Sequence, residues 1–242
     1  MDPESPQMKR IEPCAQVVEI SRNQLLAGLP PTESQRLLSH LQLLSLRQNQ
    51  LLFLQGETAH HVYFPVGAVI SLLVSLENGG SVAVGLIGSE GLAGLGLLLG
   101  GKTATQGVVV QAPGDCLRVN LEVLREEFER RGALHDRILG YARKRLAQTS
   151  QAVACNRVHL LEQRLACWLL MVHDRVKKDE FPMTHEFLSS MLGTPRSEVT
   201  IAAGVLRKAW LIRYWRGRIT ILDRRGLEDA ACECYRVLSE AR

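Results

Sequence analysis

The chain has 242 residues, enough for two domains of modest size, and its 46% hydrophobic and 22% charged residues are an ordinary globular mixture. A net charge of +4 names no partner by itself. Its distribution says more: Thr194–Arg225 carries eight basic residues against two acidic, while Leu41–Val123 carries three against five. A basic C-terminal segment joined to a mildly acidic body suggests a nucleic-acid reader at one end. The opening MDPESPQMKR is polar and lacks the apolar segment of a secretory signal. The longest apolar run, Leu92–Leu99, falls far short of the roughly 20 residues that cross a bilayer. Six scattered cysteines (14, 116, 155, 167, 232, 234) form no disulfide framework. The expectation is a cytoplasmic protein with reduced thiols and no membrane partner.

In chain order, residues 1–20 read as a flexible tail. A short helix follows in LPPTESQRLLSHL, with Thr32 expected as its N-cap. From Leu44 to Val123 short apolar runs alternate with Gly, Pro and Asn-Gly signals, and Asn78-Gly79 predicts a hairpin turn. Many short strands at this spacing indicate an antiparallel β-roll or jelly roll, residues 21–123 with the preceding helix. A long helix is expected over about 121–156, its core segment 124–156. Leu139, Leu146 and Val153 recur every seven residues, and Ala142, Thr149 and Asn156 complete the seam. Such a seam pairs two helices side by side; the same pattern also fits one helix packed on the roll. A second helix runs through LLEQRLACWLLMVHDRV and ends before Pro182.

Residues 157–242 hold the most informative stretch. Thr184 can cap a helix with Phe187, Leu188 and Leu192 inward, Gly193 allows a left-handed turn, and Thr194-Pro195 opens the next helix. Val199, Ala202, Ala203, Val205 and Leu206 supply that helix's buried face; Arg196, Ser197, Thr200, Arg207 and Lys208 lie opposite. LIRYWRGRITIL then predicts two strands about Arg216-Gly217, with Arg213, Arg216, Arg218 and Arg224 near the tip. This is the layout of a winged helix-turn-helix, whose wing lies over phosphates. The expected DNA contacts are Thr194, Arg196, Ser197, Thr200, Arg207, Lys208, Arg216 and Arg218. A helical subdomain with a solvated basic hairpin remains the alternative.

LQGETAHHVYF, GLIGSEGLAGLGLLLGG, RLAQTSQAV and LGTPRSEVTIAAGVL, in this order, resemble the Crp/Fnr superfamily of bacterial regulators from about Leu44 to Leu222. The resemblance implies an α+β protein: a cyclic-nucleotide-binding-like jelly roll, a dimerisation helix and a C-terminal winged helix-turn-helix. It implies a homodimer on a two-fold-related site in double-stranded DNA, with RNA polymerase as a partner. The family's early recognition positions fall on Arg196, Ser197, Thr200 and Ile201; Ser197 and Ile201 replace the usual Glu and Arg, so the usual operator is not implied. The family's nucleotide-binding Glu, Arg and Ser fall on Gly94, Ala104 and Thr105, with Lys102 displaced. A displaced Lys does not reproduce an Arg fork on phosphate, so cyclic AMP is not expected. Gly94, Leu95, Thr105, Thr149 and Ser150 are the expected lining of a pocket for an unnamed effector; no cofactor is expected.

No metal site is expected either. Cys14 and Cys116 cannot supply the cysteines of the family's iron–sulfur cluster. Cys232-x-Cys234 reads as a pair of thiols standing alone. His60-His61 reads as a polar turn, and with Glu57 it lacks the later His of a metal-dependent oxygenase. The glycines of 85–101 fit no nucleotide-loop spacing. The sequence therefore gives no sign of an enzyme.

Overall fold

The computed structural model describes residues 7–8, 19–77 and 79–240, so Asn78, Cys14 and most of the 1–20 tail lie outside the described residues. The chain divides into two compact units: residues 1–74 with 87–144, and residues 75–86 with 145–242.

The first unit holds seven strands of the roll; the remaining one, residues 81–87, falls mostly in the second unit. Strands β1 (Gln7–Met8), β2 (Gln42–Leu46), β3 (Leu51–Phe53), β4 (His61–Pro65), β5 (Val69–Ser75), β6 (Ser81–Ile87), β7 (Gly107–Ala112) and β8 (Gly114–Asn120) form two four-stranded sheets. Their orders are β1-β2-β8-β4 and β3-β7-β5-β6. The strands bury apolar residues in runs, and Leu44, Val62, Phe64, Leu117, Val69, Ile70, Val108 and Val110 are almost wholly buried. Helix α1 (Gln24–Ala27) is capped by Asn23, whose amide also donates to the Pro65 and Gly91 carbonyls at 2.9 Å. Helix α2 spans Pro31–Leu38 with Pro31 in its first turn, so Thr32 is not the cap that the sequence suggested. A proline's fixed φ suits the first helical position, and the helix starts there instead. Helix α3 (Leu95–Leu98) starts at Gly94, which has φ 102°.

The helical stretch expected from Leu121 to Asn156 is two helices, α4 (Leu121–Glu129) and α5 (Ala133–Val158). Arg131 takes a left-handed φ of 56° beside Gly132 and breaks the run. The new helix start is capped from a distance: the Glu33 carboxylate accepts the N–H groups of Ala133 and Leu134, both at 2.9 Å. Burial raises the pKa of Glu33, but these two bonds and the Arg36 charge outweigh it and hold the group below its usual value. Arg36 in turn grips buried Glu127, Nε to Oε2 at 2.8 Å.

The compact units divide inside α5, between Lys144 and Arg145, whereas the sequence sets apart a helical segment at 124–156. The second unit continues with α6 (Leu161–Val176), β9 (Glu180–Pro182), α7 (His185–Leu192), α8 (Arg196–Lys208), β10 (Ile212–Trp215), β11 (Arg218–Ile221), α9 (Arg224–Ala230) and α10 (Cys234–Glu240). Helix α6 is its centre, with Leu165, Leu169, Leu170 and Val172 inaccessible or nearly so. It ends at Lys177 in a left-handed conformation, and the EFP that read as a helix stop is a strand. Strand order is β10-β11-β9, so β9 covers one edge of the hairpin.

Candidate nucleic-acid interface

The reader is assembled by local signals. Thr184 caps α7, its hydroxyl accepting from the Phe187 N–H at 3.1 Å. Leu188, Met191 and Leu192 face the core, and Phe187 is only half-buried. Gly193 closes the helix at φ 61°, ψ 39°, a conformation that costs a residue with a Cβ more. The turn is locked twice: the Thr194 N–H donates to the Ser189 carbonyl at 3.1 Å, and the Ser189 hydroxyl donates to the Thr194 carbonyl at 2.6 Å. Thr194 thus serves the turn through its backbone.

Pro195 then leads into α8, whose buried face is Val199, Ala202, Ala203 and Leu206. Val205, expected inward, is 47% exposed. Arg196, Ser197, Thr200, Ile201, Arg207 and Lys208 are exposed. Ile201, at 69% exposure, is an uncovered apolar side chain in the middle of this face. Thr200 is less available than its exposure suggests. Its hydroxyl donates to the Arg196 carbonyl at 2.9 Å and lies 3.0 Å from His185 Nδ1.

His185 joins three elements. It begins α7, meets Thr200 on α8 and stacks on Tyr214 of β10, ring centroids 4.1 Å apart at 23°. Burial lowers its pKa and the Arg196 charge lowers it further, so the ring is neutral near pH 7. With the Thr200 proton given to Arg196, Nδ1 is the donor to Thr200, and Nε2 is buried without a partner. Sequence reasoning missed this residue. The available signal was an aromatic-capable His one position after the cap and a Tyr in the wing.

The wing is a tight hairpin: Trp215 pairs with Arg218 across Arg216 (φ 46°) and Gly217 (φ 74°). Two left-handed residues in succession match the twist of the strands. Arg216 is exposed over the Trp215 ring, 5.3 Å from its centroid. Arg218 is tied to Glu180 of β9, Nε to Oε1 at 2.6 Å, and that bond and charge lower the Glu180 pKa. Arg224 does not belong to the wing tip. It turns inward to Asp174 (2.8 Å) and the Tyr235 hydroxyl (2.9 Å), because a buried carboxylate and a half-buried phenol sit beside the start of α9. Across residues 194–225 the exposed basic residues are Arg196, Arg207, Lys208, Arg213, Arg216, Arg218 and Arg225, of which Arg218 is held by Glu180.

Residues 163–230 match the family model of the Crp-like helix-turn-helix domain, and residues 43–131 match that of the cyclic nucleotide-binding domain. The chain belongs to the Crp/Fnr family. This Crp/Fnr protein is a DNA-binding transcription regulator. It is 24% identical over 193 residues to a global nitrogen regulator of Synechococcus elongatus, covering 76% of this chain and 86% of that one. A global nitrogen regulator of Nostoc is 24% identical over 184 residues, 72% of this chain and 82% of that one. In fold it resembles a CRP-family regulator of Thermus thermophilus (TM-score 0.65, 20% identity, 77% of this chain and 95% of that one). It also resembles a Crp/Fnr-family regulator of Eubacterium rectale (TM-score 0.68, 15% identity, 87% and 98%).

Two further sets of Crp/Fnr residues have clear positions. Helix α5 has two faces. Leu134, Ile138, Tyr141, Gln148 and Cys155 are buried. On the other face Leu139, Leu146 and Val153 are 44%, 72% and 67% exposed, Thr149 and Asn156 are exposed, and Ala142 is half-buried. In the roll, Gly94, Leu95 and Thr105 line a cavity of about 20 Å³, water-sized, together with Phe53, Leu72, Ala104 and Gln106. None of the cavity's residues is charged. A side chain at Gly94 would meet Val62 at 3.2 Å in a left-handed backbone, so the family's Glu does not fit there without strain. Thr149 and Ser150 belong to the second compact unit, and their hydroxyls bond back to the Arg145 and Leu146 carbonyls. Among the described residues no helix is long and apolar enough to cross a membrane.

Proposed function

We propose that the protein acts as a homodimer, paired along Leu139, Ala142, Leu146, Thr149, Val153 and Asn156, and sets two α8 helices on a two-fold-related operator. The observation that carries this reading is the second face of α5: large apolar side chains stand in water at heptad spacing while the opposite face is already packed. Uncovered apolar stripes of this kind mark interfaces. Two readers so paired meet successive major grooves about one helical turn apart. Arg196 reads a base edge, and Arg207, Lys208 and Arg216 hold phosphates. Thr194, Ser197, Thr200 and Arg218 support that contact from the turn, the helix start and the wing.

The roll acts as the effector domain. The uncharged cavity at Gly94, Leu95 and Thr105, where the family's nucleotide-binding residues fall, favours an effector other than cyclic AMP, or constitutive activity, over nucleotide phosphate recognition. RNA polymerase is the expected protein partner, and the cytoplasm the place of action. The relatives from Synechococcus and Nostoc are named for global nitrogen regulation, and regulation of nitrogen genes is one reading to be compared. The test is selection of bound DNA from a random pool, with sedimentation of the free protein. A dimer enriching a palindrome with half-sites one turn apart supports the proposal. A monomer, or enrichment of no symmetric site, overturns it.

A further inference from the structure

Four metal-capable side chains converge in the second unit. Cys155 lies in the last turn of α5 and His159 just beyond its end, while Cys232 is in the link from α9 to α10 and Cys234 opens α10. Their donor atoms all lie within 4.8 Å of one another. Cys155 Sγ is 3.5 Å from Cys232 Sγ, and Cys234 Sγ is 3.5 Å from His159 Nδ1. A tetrahedral ion with bonds of about 2.3 Å to sulfur and 2.0 Å to nitrogen holds its ligands roughly 3.5–3.8 Å apart. These two separations already match edges of such a tetrahedron.

The surroundings have the same character. His159 turns Nδ1 to Cys234 and Nε2 to the Glu233 carboxylate, 3.1 Å away. A carboxylate on the far nitrogen is what orients a metal-bound imidazole. Gln151 donates to the Cys234 sulfur at 3.0 Å. Cys155, Cys232 and Cys234 are 6%, 4% and 0% exposed, and all are free thiols. Buried cysteines commonly serve as small apolar fillers. A filler role explains neither the imidazole between a thiol and a carboxylate nor the convergence of three thiols from two segments.

We propose that Cys155, His159, Cys232 and Cys234 form a closed, four-ligand site for a soft divalent cation, zinc foremost. Thiolate and imidazole donors select such ions, and four protein ligands leave no open position, so the ion's role is structural. Each ligating thiol gives its proton to water on binding, so affinity rises with pH. The ion would tie the start of α10 to the end of α5. Neither Cys232-x-Cys234 nor Cys155-x-x-x-His159 reveals this alone, because 72 and more residues separate the two halves in sequence.

The experiment uses the reduced, chelator-stripped full chain titrated with cobalt(II). The expected result is a tetrahedral cobalt–thiolate spectrum that saturates at one ion per chain and is bleached by zinc. Cys232→Ser with Cys234→Ser should abolish it, Cys116→Ser in the roll should leave it unchanged, and His159→Gln should weaken binding tenfold or more. Circular dichroism and DNA binding establish that each variant is folded. If the double variant does not fold, the folded wild type decides: no thiolate bands there overturns the site. Bands that survive in a folded Cys232→Ser, Cys234→Ser chain also overturn it, as does a Cys155–Cys232 disulfide whose reduction yields no cobalt binding.

Discussion

At the scale of single residues, Arg196 carries the sharpest expectation. Its replacement by Ala should cost about 1–3 kcal/mol of operator binding and relax preference at one base pair, measured by gel shift at fixed salt. His185 acts differently, by holding Thr200 and Tyr214 in place. His185→Ala should weaken binding across all sequences and not at one position. The unfolded chain protonates this His near pH 6.5, whereas the folded chain resists until lower pH. Stability should therefore fall as pH drops below about 6.5, and less so in His185→Gln. Glu33 loses its contribution in the same direction of pH, though the fold favours its charged form. Its folded pKa is held down, so its contribution is complete above the ordinary carboxylate range and is lost as pH falls through the folded value. Glu33→Gln should lower stability at neutral pH by about 1 kcal/mol, as lost caps do, and flatten the acid limb of a denaturation profile. Arg196 was legible in sequence because it opens a helix after a Gly turn. Arg224 was misplaced because nothing local shows that Asp174 and Tyr235 stand beside it in space.

At the scale of elements, the turns were the most readable parts. Gly193 and Arg216-Gly217 need left-handed backbone, and the sequence shows that need directly. Breaks made by ordinary residues were hidden. Arg131 separates α4 from α5, and no periodicity forecasts it, because the capping carboxylate comes from Glu33 about 100 residues earlier. Strand β9 was hidden by its own proline, which reads as a stop yet sits at a strand end. The exposed stripe of α5 makes a direct prediction. Leu146→Arg should leave the fold intact, since that side chain is 72% exposed, yet shift sedimentation from dimer to monomer and reduce operator affinity at least tenfold.

At the scale of the molecule, the order of roll, long helix and winged reader was legible because each part has its own pattern: short apolar runs between turn signals in the strands, a spacing of three to four in the helices. What the parts share was not. The uncharged cavity beside Gly94 and the cysteine cluster both need side chains brought from distant segments. With Arg196, Arg207, Lys208, Arg213 and Arg216 exposed on each chain, operator affinity should fall steeply with salt. Replacing Arg207 and Lys208 by Ala should reduce the log–log slope by about 1 for each phosphate no longer neutralised.

The wing tip has a consequence of another kind. Arg216 stands in a left-handed conformation that costs an ordinary residue roughly 1 kcal/mol, in a turn where Asn or Gly is at ease. Arg216→Asn should raise the melting temperature while weakening the hold on DNA. Heat tolerance and gene control would then rank the same two alleles in opposite order, so the arginine would survive only while the operator is in use.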